Sequence, residues 1–298
     1  MPAEPTLNAH ARRYLAGRTA RHEIRQATAR HARHVLRGFA AAYGHRPVDR
    51  LSRADVERWL AEIDVTPASR RTYLGVVRGF ARWLVEQRLV RRDPTAGIAR
   101  VRVPRRPPRA LNRADVDRLR HALPDSRARA VVALMLGCGL RVGEVVALRC
   151  GDWSRFEQRL HVVGKGGHER DVPVPSTVER ALLAYLADDP ARGASVPLIR
   201  STTTGRPITS VHLGALMSQW MTAAGIKAHA WDGRGCHSLR HTCAEWFVDA
   251  DPDLRLLQHL LGHRDLSTTS IYLRRADLGR VATALERSAA YDDGPAAA

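Results

Sequence analysis

The sequence predicts a mainly α protein with a small β-sheet, divided into two domains. Three observations carry this. Apolar residues recur at helical spacing behind Ser, Thr or Asn caps through the first hundred residues and again from Asn112 onward. One stretch, Leu160 to Val174, alternates with the period of two that a half-buried strand pair requires. Between the helical parts lies Ala99-Arg-Val-Arg-Val-Pro104-Arg105-Arg106-Pro107-Pro108-Arg109, which is Pro-rich, basic and without apolar period, and reads as an extended linker. The expected boundaries are a helical domain over 1–98, a linker over 99–110 and a second domain over 111–298. At 298 residues the chain is long enough for two cores, since a single core stops growing near about 250–300 residues.

In the first domain the helices follow from spacing and caps. One is expected from about Thr19 to Tyr43, with Ile24, His31, Val35, Phe39 and Tyr43 in step and Gly44 as its stop. Ser52-Arg-Ala-Asp55 opens a second: Ser52 caps a free N–H, and Asp55 can return the bond to the Ser52 backbone. Val56, Trp59, Leu60 and Ile63 then share one side. Thr66-Pro67 opens a third, because proline lacks only an N–H that the first turn leaves unpaired anyway. Tyr73, Val76, Val77, Phe80 and Leu84 form its buried face, and it ends before Asp93-Pro94.

In the second domain Asn112-Arg-Ala-Asp115 repeats the capped start, followed by Val116, Leu119 and Leu123, with Pro124 as the stop. An apolar helix covers Ala128 to Leu136. Gly137-Cys138-Gly139-Leu140-Arg141-Val142-Gly143-Glu144 then requires a sharp turn between helices that presents Arg141 inward, with Glu144 placed to orient the guanidinium. Leu160 to Val163 and Arg170 to Val174 form a hairpin around Gly164-Lys165-Gly166-Gly167, with Lys165 near its tip. Helices near Ser176–Ala187 and Ser210–Ala224, with a short apolar piece from Val196 to Ile199, supply scaffold. A Gly-rich segment from Trp231 leads into the helix that carries His237 and Arg240.

The partner is read from charge. The chain carries 48 Lys+Arg against 30 Asp+Glu, a formal net charge of +18 that exceeds what solubility needs and points to a polyanion. Residues 1–100 hold 20 Arg and 9 Asp+Glu, so their polar helix faces lack the mixed signs of an ordinary solvated surface. Arg21, Arg25 and Arg33, then Arg70, Arg71 and Arg78, and Arg105 and Arg106 in the linker are expected to contact DNA phosphates. The sequence has no run of 18 apolar residues and no signal-like N-terminal core, so no membrane partner and a cytoplasmic place are expected, nucleoid-associated where the polyanion is DNA. Cys138, Cys150, Cys236 and Cys243 form no C-x-x-C pair and fit buried, reduced thiols.

Catalysis belongs to the C-terminal stretch. His237 and Arg240 stand three residues apart, so on a helix both reach a single anion. His263 follows the Gly262 break, and Tyr272 comes nine residues later beside a Ser/Thr cluster that starts or interrupts a short helix. Two donors, an imidazole and a phenol converging in this way describe a phosphodiester-cleaving site with Tyr272 as nucleophile. Zinc is the competing reading of His237/His241 and His259/His263, each spaced i, i+4. A zinc hydrolase of that pattern needs Glu directly after the first His, where Ser238 stands, and His259 lies among Leu256, Leu257 and Leu260 as a hydrogen-bonded structural His would. No metal and no other cofactor is expected. Lys165 gains weight from composition: only it and Lys227 are Lys among the 48 basic residues. Arg cannot release a proton in a protein whereas Lys can, so Lys in a Gly-flanked hairpin reads as more than a phosphate contact.

These pieces, Gly139-Leu-Arg141-Val-Gly-Glu144, Gly164-Lys165-Gly166, His237-Ser-Leu-Arg240-His241, Leu261-Gly262-His263 and Ile271-Tyr272, stand in an order and spacing that resembles the tyrosine recombinase (phage integrase) family. The resemblance spans nearly the full chain, in the simple two-domain form of the Xer-type members. It implies a helical core-binding domain and a mixed α/β catalytic domain that clamp DNA. It implies that Tyr272 attacks the scissile phosphorus to give a 3′-phosphotyrosine, that Arg141, Arg240, His237 and His263 stabilise charge on the non-bridging oxygens, and that Lys165 protonates the departing 5′-oxygen. Glu144 would support them from behind. Double-stranded DNA with inverted half-sites, dimers and tetramers on that DNA and an accessory directionality factor are the implied partners. Gly167-His168-Glu169 departs from relatives that often carry another basic residue there. Two other functions share the charge and fold: a catalytically silent DNA-binding protein, which needs no complete set of six polar residues, and type IB topoisomerase-like relaxation, which strand transfer between two sites distinguishes.

Overall fold

The computed structural model describes residues 6–24, 26–44, 46–103, 109–164, 166–188, 193–201, 204–229, 232–263 and 269, with Ala27 described for its backbone. The chain splits into two compact units, Met1–Arg106 and Pro107–Ala298.

In the first unit α1 (Leu7–Ala20), α2 (Gln26–Tyr43), α3 (Arg53–Glu62) and α4 (Pro67–Glu86) enclose Leu15, Val35, Leu36, Phe39, Trp59, Leu74, Val77, Phe80 and Leu84. The caps read from sequence are present. The Asp55 N–H donates to Ser52 Oγ while Asp55 Oδ2 accepts the Ser52 N–H at 3.0 Å, and Thr66 Oγ1 accepts the Ser69 N–H. Aromatic rings fill the centre, with Phe39 edge-on to Trp59 at 5.1 Å between centroids and Tyr73 stacked on Trp59 at 6.1 Å.

The single helix expected from Thr19 is two. α1 ends at Ala20, His22 turns the chain with a φ of 55°, Glu23 pairs with Arg18 and Arg21, and α2 starts at Gln26. The buried face of α1, Leu7, His10, Ala11, Tyr14 and Leu15, includes a small and a polar residue that blur its apolar period. Leu74 and Ala81 are buried on α4, whereas Tyr73 and Val76 are half-buried against the core, and His31 is exposed at the edge of Tyr73. Ile98 and Val101 pack on this same core, which carries the first unit into the stretch read as linker.

In the second unit α6 (Ser126–Gly137) is apolar on nearly every side and therefore central. It follows α5 (Arg113–Ala122) and is packed by α7 (Val142–Ala147), α8 (Ser176–Asp188) and α10 (Cys236–Ala250), while α9 (Ser210–Ala223) lies on α5 and α7. A small antiparallel sheet runs in the order β1 (Trp153–Ser154), β2 (Arg159–Val163), β3 (Glu169–Pro173). β1 is too short to show alternation in sequence. The β2–β3 register pairs Leu160 with Val172 and Val162 with Arg170, so Arg170 shares the phase of the core-facing residues. α11 (Leu254–Leu261) packs against α10 and β3. Cys138 and Cys243 are buried free thiols, whereas Cys150 and Cys236, at the starts of elements, are half-buried. Among the described residues no helix is long and apolar enough to cross a membrane.

Candidate active site

The turn between α6 and α7 is the first wall of the site. Gly139 has a φ of 63°, and a Cβ there would stand 3.0 Å from Leu261 Cδ2 and 3.3 Å from Cys243 Sγ. Only glycine accepts both the left-handed backbone and that approach. The turn delivers Arg141 to the start of α7, where its N–H donates to Glu144 Oε2 at 2.9 Å and its Nη1 to Oε1 at 2.8 Å.

The second wall is α10. Arg240 is only 4% exposed, and burying a guanidinium costs several kcal/mol unless its donors are used. Here Nη1 donates to the Gly139 carbonyl at 2.5 Å and Nη2 to the Leu261 carbonyl at 2.5 Å, with Glu144 Oε2 3.8 Å from Nη1. His237, one turn earlier, is exposed, and its ring centroid lies 6.4 Å from that of His241. Packing around its inner side, then Arg240 and Arg141, lower its pKa.

The end of α11 places His263. Gly262 is the left-handed cap, with a φ of 60°, and its N–H donates to the Gln258 and His259 carbonyls. Gln258 Nε2 holds the His263 carbonyl at 3.0 Å. Since Arg240 Nη2 donates to His263 Nε2 at 3.1 Å, the imidazole proton sits on Nδ1 and donates to Thr269 Oγ1 at 2.9 Å. Burial first, then the charges of Arg240, Arg141 and Arg170 together with His241, lower the His263 pKa to about 4. The ring is neutral at pH 7. His241 is held to about 4 as well, by burial and then by His237 and Arg240.

Both folded pKa values lie below the ordinary 6.5, so below that pH the unfolded chain binds protons that the fold refuses. The stability they contribute is fully present above about pH 6.5 and is lost as pH falls toward 4. His263→Gln therefore narrows the difference between urea midpoints measured at pH 7.5 and pH 4.5. An undiminished difference shows that His263 does not carry this dependence.

Arg170 is the residue the sequence reading passed over. Its side chain is 7% exposed; Nη1 and Nη2 donate to Glu144 Oε1 and Oε2 at 3.2 and 3.0 Å, and Nε donates to the Leu260 carbonyl at 2.9 Å. The available signal was phase: an Arg two residues before buried Val172 occupies an inward position of the strand. Burial pushes the Glu144 carboxyl up, but hydrogen bonds from Arg170 and the Arg141 N–H, with the charges of both arginines, hold its pKa below the usual carboxylate value.

Arg141, Glu144, Arg240 and His263 are thus brought together, with His237 on the same helix as Arg240. Lys165 and Tyr272 lie outside the described residues, as do Arg25, Arg105 and Arg106. Of the arginines read as phosphate contacts, Arg33 and Arg71 are exposed, and Arg21 is exposed but paired with Glu23 at 2.5 Å. Arg70 and Arg78 differ from expectation: both are half-buried, with Nη2 donating to the Ile63 carbonyl at 3.1 Å and to the Ile98 carbonyl respectively. They satisfy the carbonyls of Ile63, just past the end of α3, and of Ile98, outside any helix, which no helix bond reaches. His259 is exposed rather than held among its leucines. Among the described residues no group of three or more His, Cys, Asp or Glu is placed to hold a metal ion.

Residues 109–278 match the model of the phage integrase family. The tyrosine recombinase XerD of Xanthomonas campestris pv. campestris is 34% identical over 248 residues, 78% of this chain and 75% of its own length. The tyrosine recombinase XerC of Neisseria gonorrhoeae is 33% identical over 238 residues, 75% of each. Among solved structures, a lambda integrase fragment (residues 75–356), solved as a dimer bound to a COC′ core site, superimposes with a TM-score of 0.75 at 18% identity, covering 88% of this chain and 97% of that one. That likeness concerns the fold. The chain belongs to the phage integrase family, and its activity is site-specific recombination, cutting and rejoining DNA through a phosphotyrosine.

Proposed function

We propose that Arg141, Arg240 and His237 bind the scissile phosphate, that His263 aims Arg240 toward it, that Tyr272 is the nucleophile and that Lys165 is the general acid. The Tyr272 oxygen, giving up its phenolic proton to solvent, forms a bond to phosphorus as the bond from phosphorus to the 5′-oxygen breaks, and Lys165 gives that departing oxygen a proton. The resulting 3′-phosphotyrosine keeps the phosphodiester energy, so a 5′-hydroxyl from another strand reverses the step. Resolution, excision and integration all follow from this exchange.

The observation that carries this reading is a charge imbalance at a packed site. The three guanidiniums of Arg141, Arg170 and Arg240 surround one carboxylate, Glu144, with Arg240 and Glu144 each 4% exposed. Such a site favours an anion, and preorganised donors there act on charge as it develops, each worth about 10²- to 10³-fold in rate. With Nε2 facing Arg240, neutral His263 aims that guanidinium. Incubation with a nicked suicide substrate in excess chelator should give an adduct that survives denaturation and maps by peptide sequencing to Tyr272. Linkage at another residue overturns the assignment.

The DNA carries inverted half-sites, contacted through the exposed Arg33 and Arg71, and dimers and then tetramers assemble on it in the nucleoid, with a directionality factor setting the outcome. Leu278, Val281, Ala282 and Leu285 repeat at i, i+3, i+4 and i+7, the pattern of an apolar helical stripe. A groove of about 640 Å³ in the second unit, lined by Leu123, Val132, Leu136, Val178, Trp246 and Phe247 among others, has the chemistry to receive that stripe from a neighbouring protomer. Deleting residues 277–298 should spare binding to a single half-site and weaken cooperative filling of paired sites in a gel-shift titration. Unchanged cooperativity counts against docking between protomers.

A further inference from the structure

We propose that Arg170 is a positioning residue that pins the hairpin carrying Lys165 to the phosphate site; this rests on the reading of Lys165 as general acid. Arg170 sits on β3, opposite Val162, at an inward position where its neighbours on the same face, Leu160, Val162 and Val172, are apolar. An apolar residue there would satisfy the sheet. Instead the position holds a charge with 7% exposure, and a buried ion pair is often no more stabilising than well-packed apolar residues of similar volume. Packing alone therefore does not account for this arginine.

Its contacts join three elements. The fork spans both oxygens of Glu144, on the helix that begins at Arg141, and Nε reaches the Leu260 carbonyl, three residues before His263. Glu144 also accepts the Arg141 N–H and Nη1, so the two arginines fill the four lone-pair sites of the carboxylate. On the outer side Gly262 packs on the same guanidinium, where a Cβ would lie 3.0 Å from Nη1. Toward the tip the ladder continues through Val163 and Glu169, and the Gly164 N–H donates to the His168 carbonyl at 2.6 Å. The turn thus springs from a strand fixed at Arg170, and at its base a Cβ on Gly164 would lie 3.5 Å from Glu144 Oε1 and 3.6 Å from Arg170 Nη1, so the placement of β3 against Glu144 and Leu260 sets where that turn begins.

Arg170→Lys keeps the charge but replaces a planar fork with a single point donor that cannot span Glu144 and Leu260 together. The variant should bind its DNA within about threefold of the parent and cleave ordinary DNA about 10²-fold more slowly, the lower end of what general acid catalysis contributes. A substrate with sulfur at the 5′-bridging position offers a leaving group that needs little protonation. On it the variant should recover to within about tenfold of the parent, as should Lys165→Ala. The readout is the ratio of rates on the two substrates from one preparation, so any loss of folded protein cancels.

If Lys165→Ala recovers and Arg170→Lys does not, Arg170 serves the guanidinium cluster or the fold alone and the inference is overturned. If Lys165→Ala fails to recover, the acid assignment is at fault and the inference falls with it. Recovery of both establishes the link.

Discussion

Tyr272→Phe binds its DNA site with unchanged affinity and yields no covalent protein–DNA adduct. The substitution deletes one oxygen and almost no volume, and it removes none of the bonds that hold Arg240 to the Gly139 and Leu261 carbonyls and to His263, or Arg141 to Glu144. Phosphate binding therefore survives. Chemistry does not, because no other atom at that position can form the bond to phosphorus, and cleavage falls by about 10⁴-fold or more. The measurement pairs a gel shift with a denaturing gel on the same nicked suicide substrate. An adduct that survives denaturation in the Phe variant sinks the nucleophile assignment, whereas lost binding shows that the phenol has a structural task.

What the sequence made legible is what short-range chemistry decides. The Ser52-to-Asp55 and Thr66 caps, the glycine turn before Arg141 and the Arg141–Glu144 pair each involve residues within four positions, and each stands in the structure as its spacing requires. The structure departs from the local pattern where a partner on another segment overrides it. Arg70 and Arg78 have the spacing of surface arginines, yet each turns to a carbonyl of another segment, Ile63 and Ile98. His259 has leucine neighbours in sequence but points to solvent, because the buried side of α11 runs through Leu257 and Leu261. Arg170 was hidden twice. Its charge argues for the surface, and its partner Glu144 lies 26 residues away on another element. Strand phase alone marked it as inward, and the bidentate pair with Glu144 is what makes that placement tolerable.

Lys165→Arg separates charge from proton transfer. If Lys165 only neutralises a phosphate, arginine keeps the charge and most of the activity, as a chain with 48 basic residues of which two are Lys already uses arginine for that task. A general acid must release its proton to the 5′-oxygen in the transition state. Arginine, with a pKa above about 12, holds it too tightly. The expected result is normal DNA binding with cleavage of ordinary DNA slowed by about 10²- to 10⁴-fold. Sulfur at the 5′-bridging position should restore cleavage by Lys165→Arg, because a thiolate departs without needing the proton. It should leave Tyr272→Phe inactive, since that variant lacks the attacking atom whatever the leaving group. If Lys165→Arg is equally slow on both substrates, Lys165 acts elsewhere in the reaction. The acid must then be sought among groups that touch the leaving oxygen, and His237, exposed on α10 with a lowered pKa, is the first to test by the same pair of substrates.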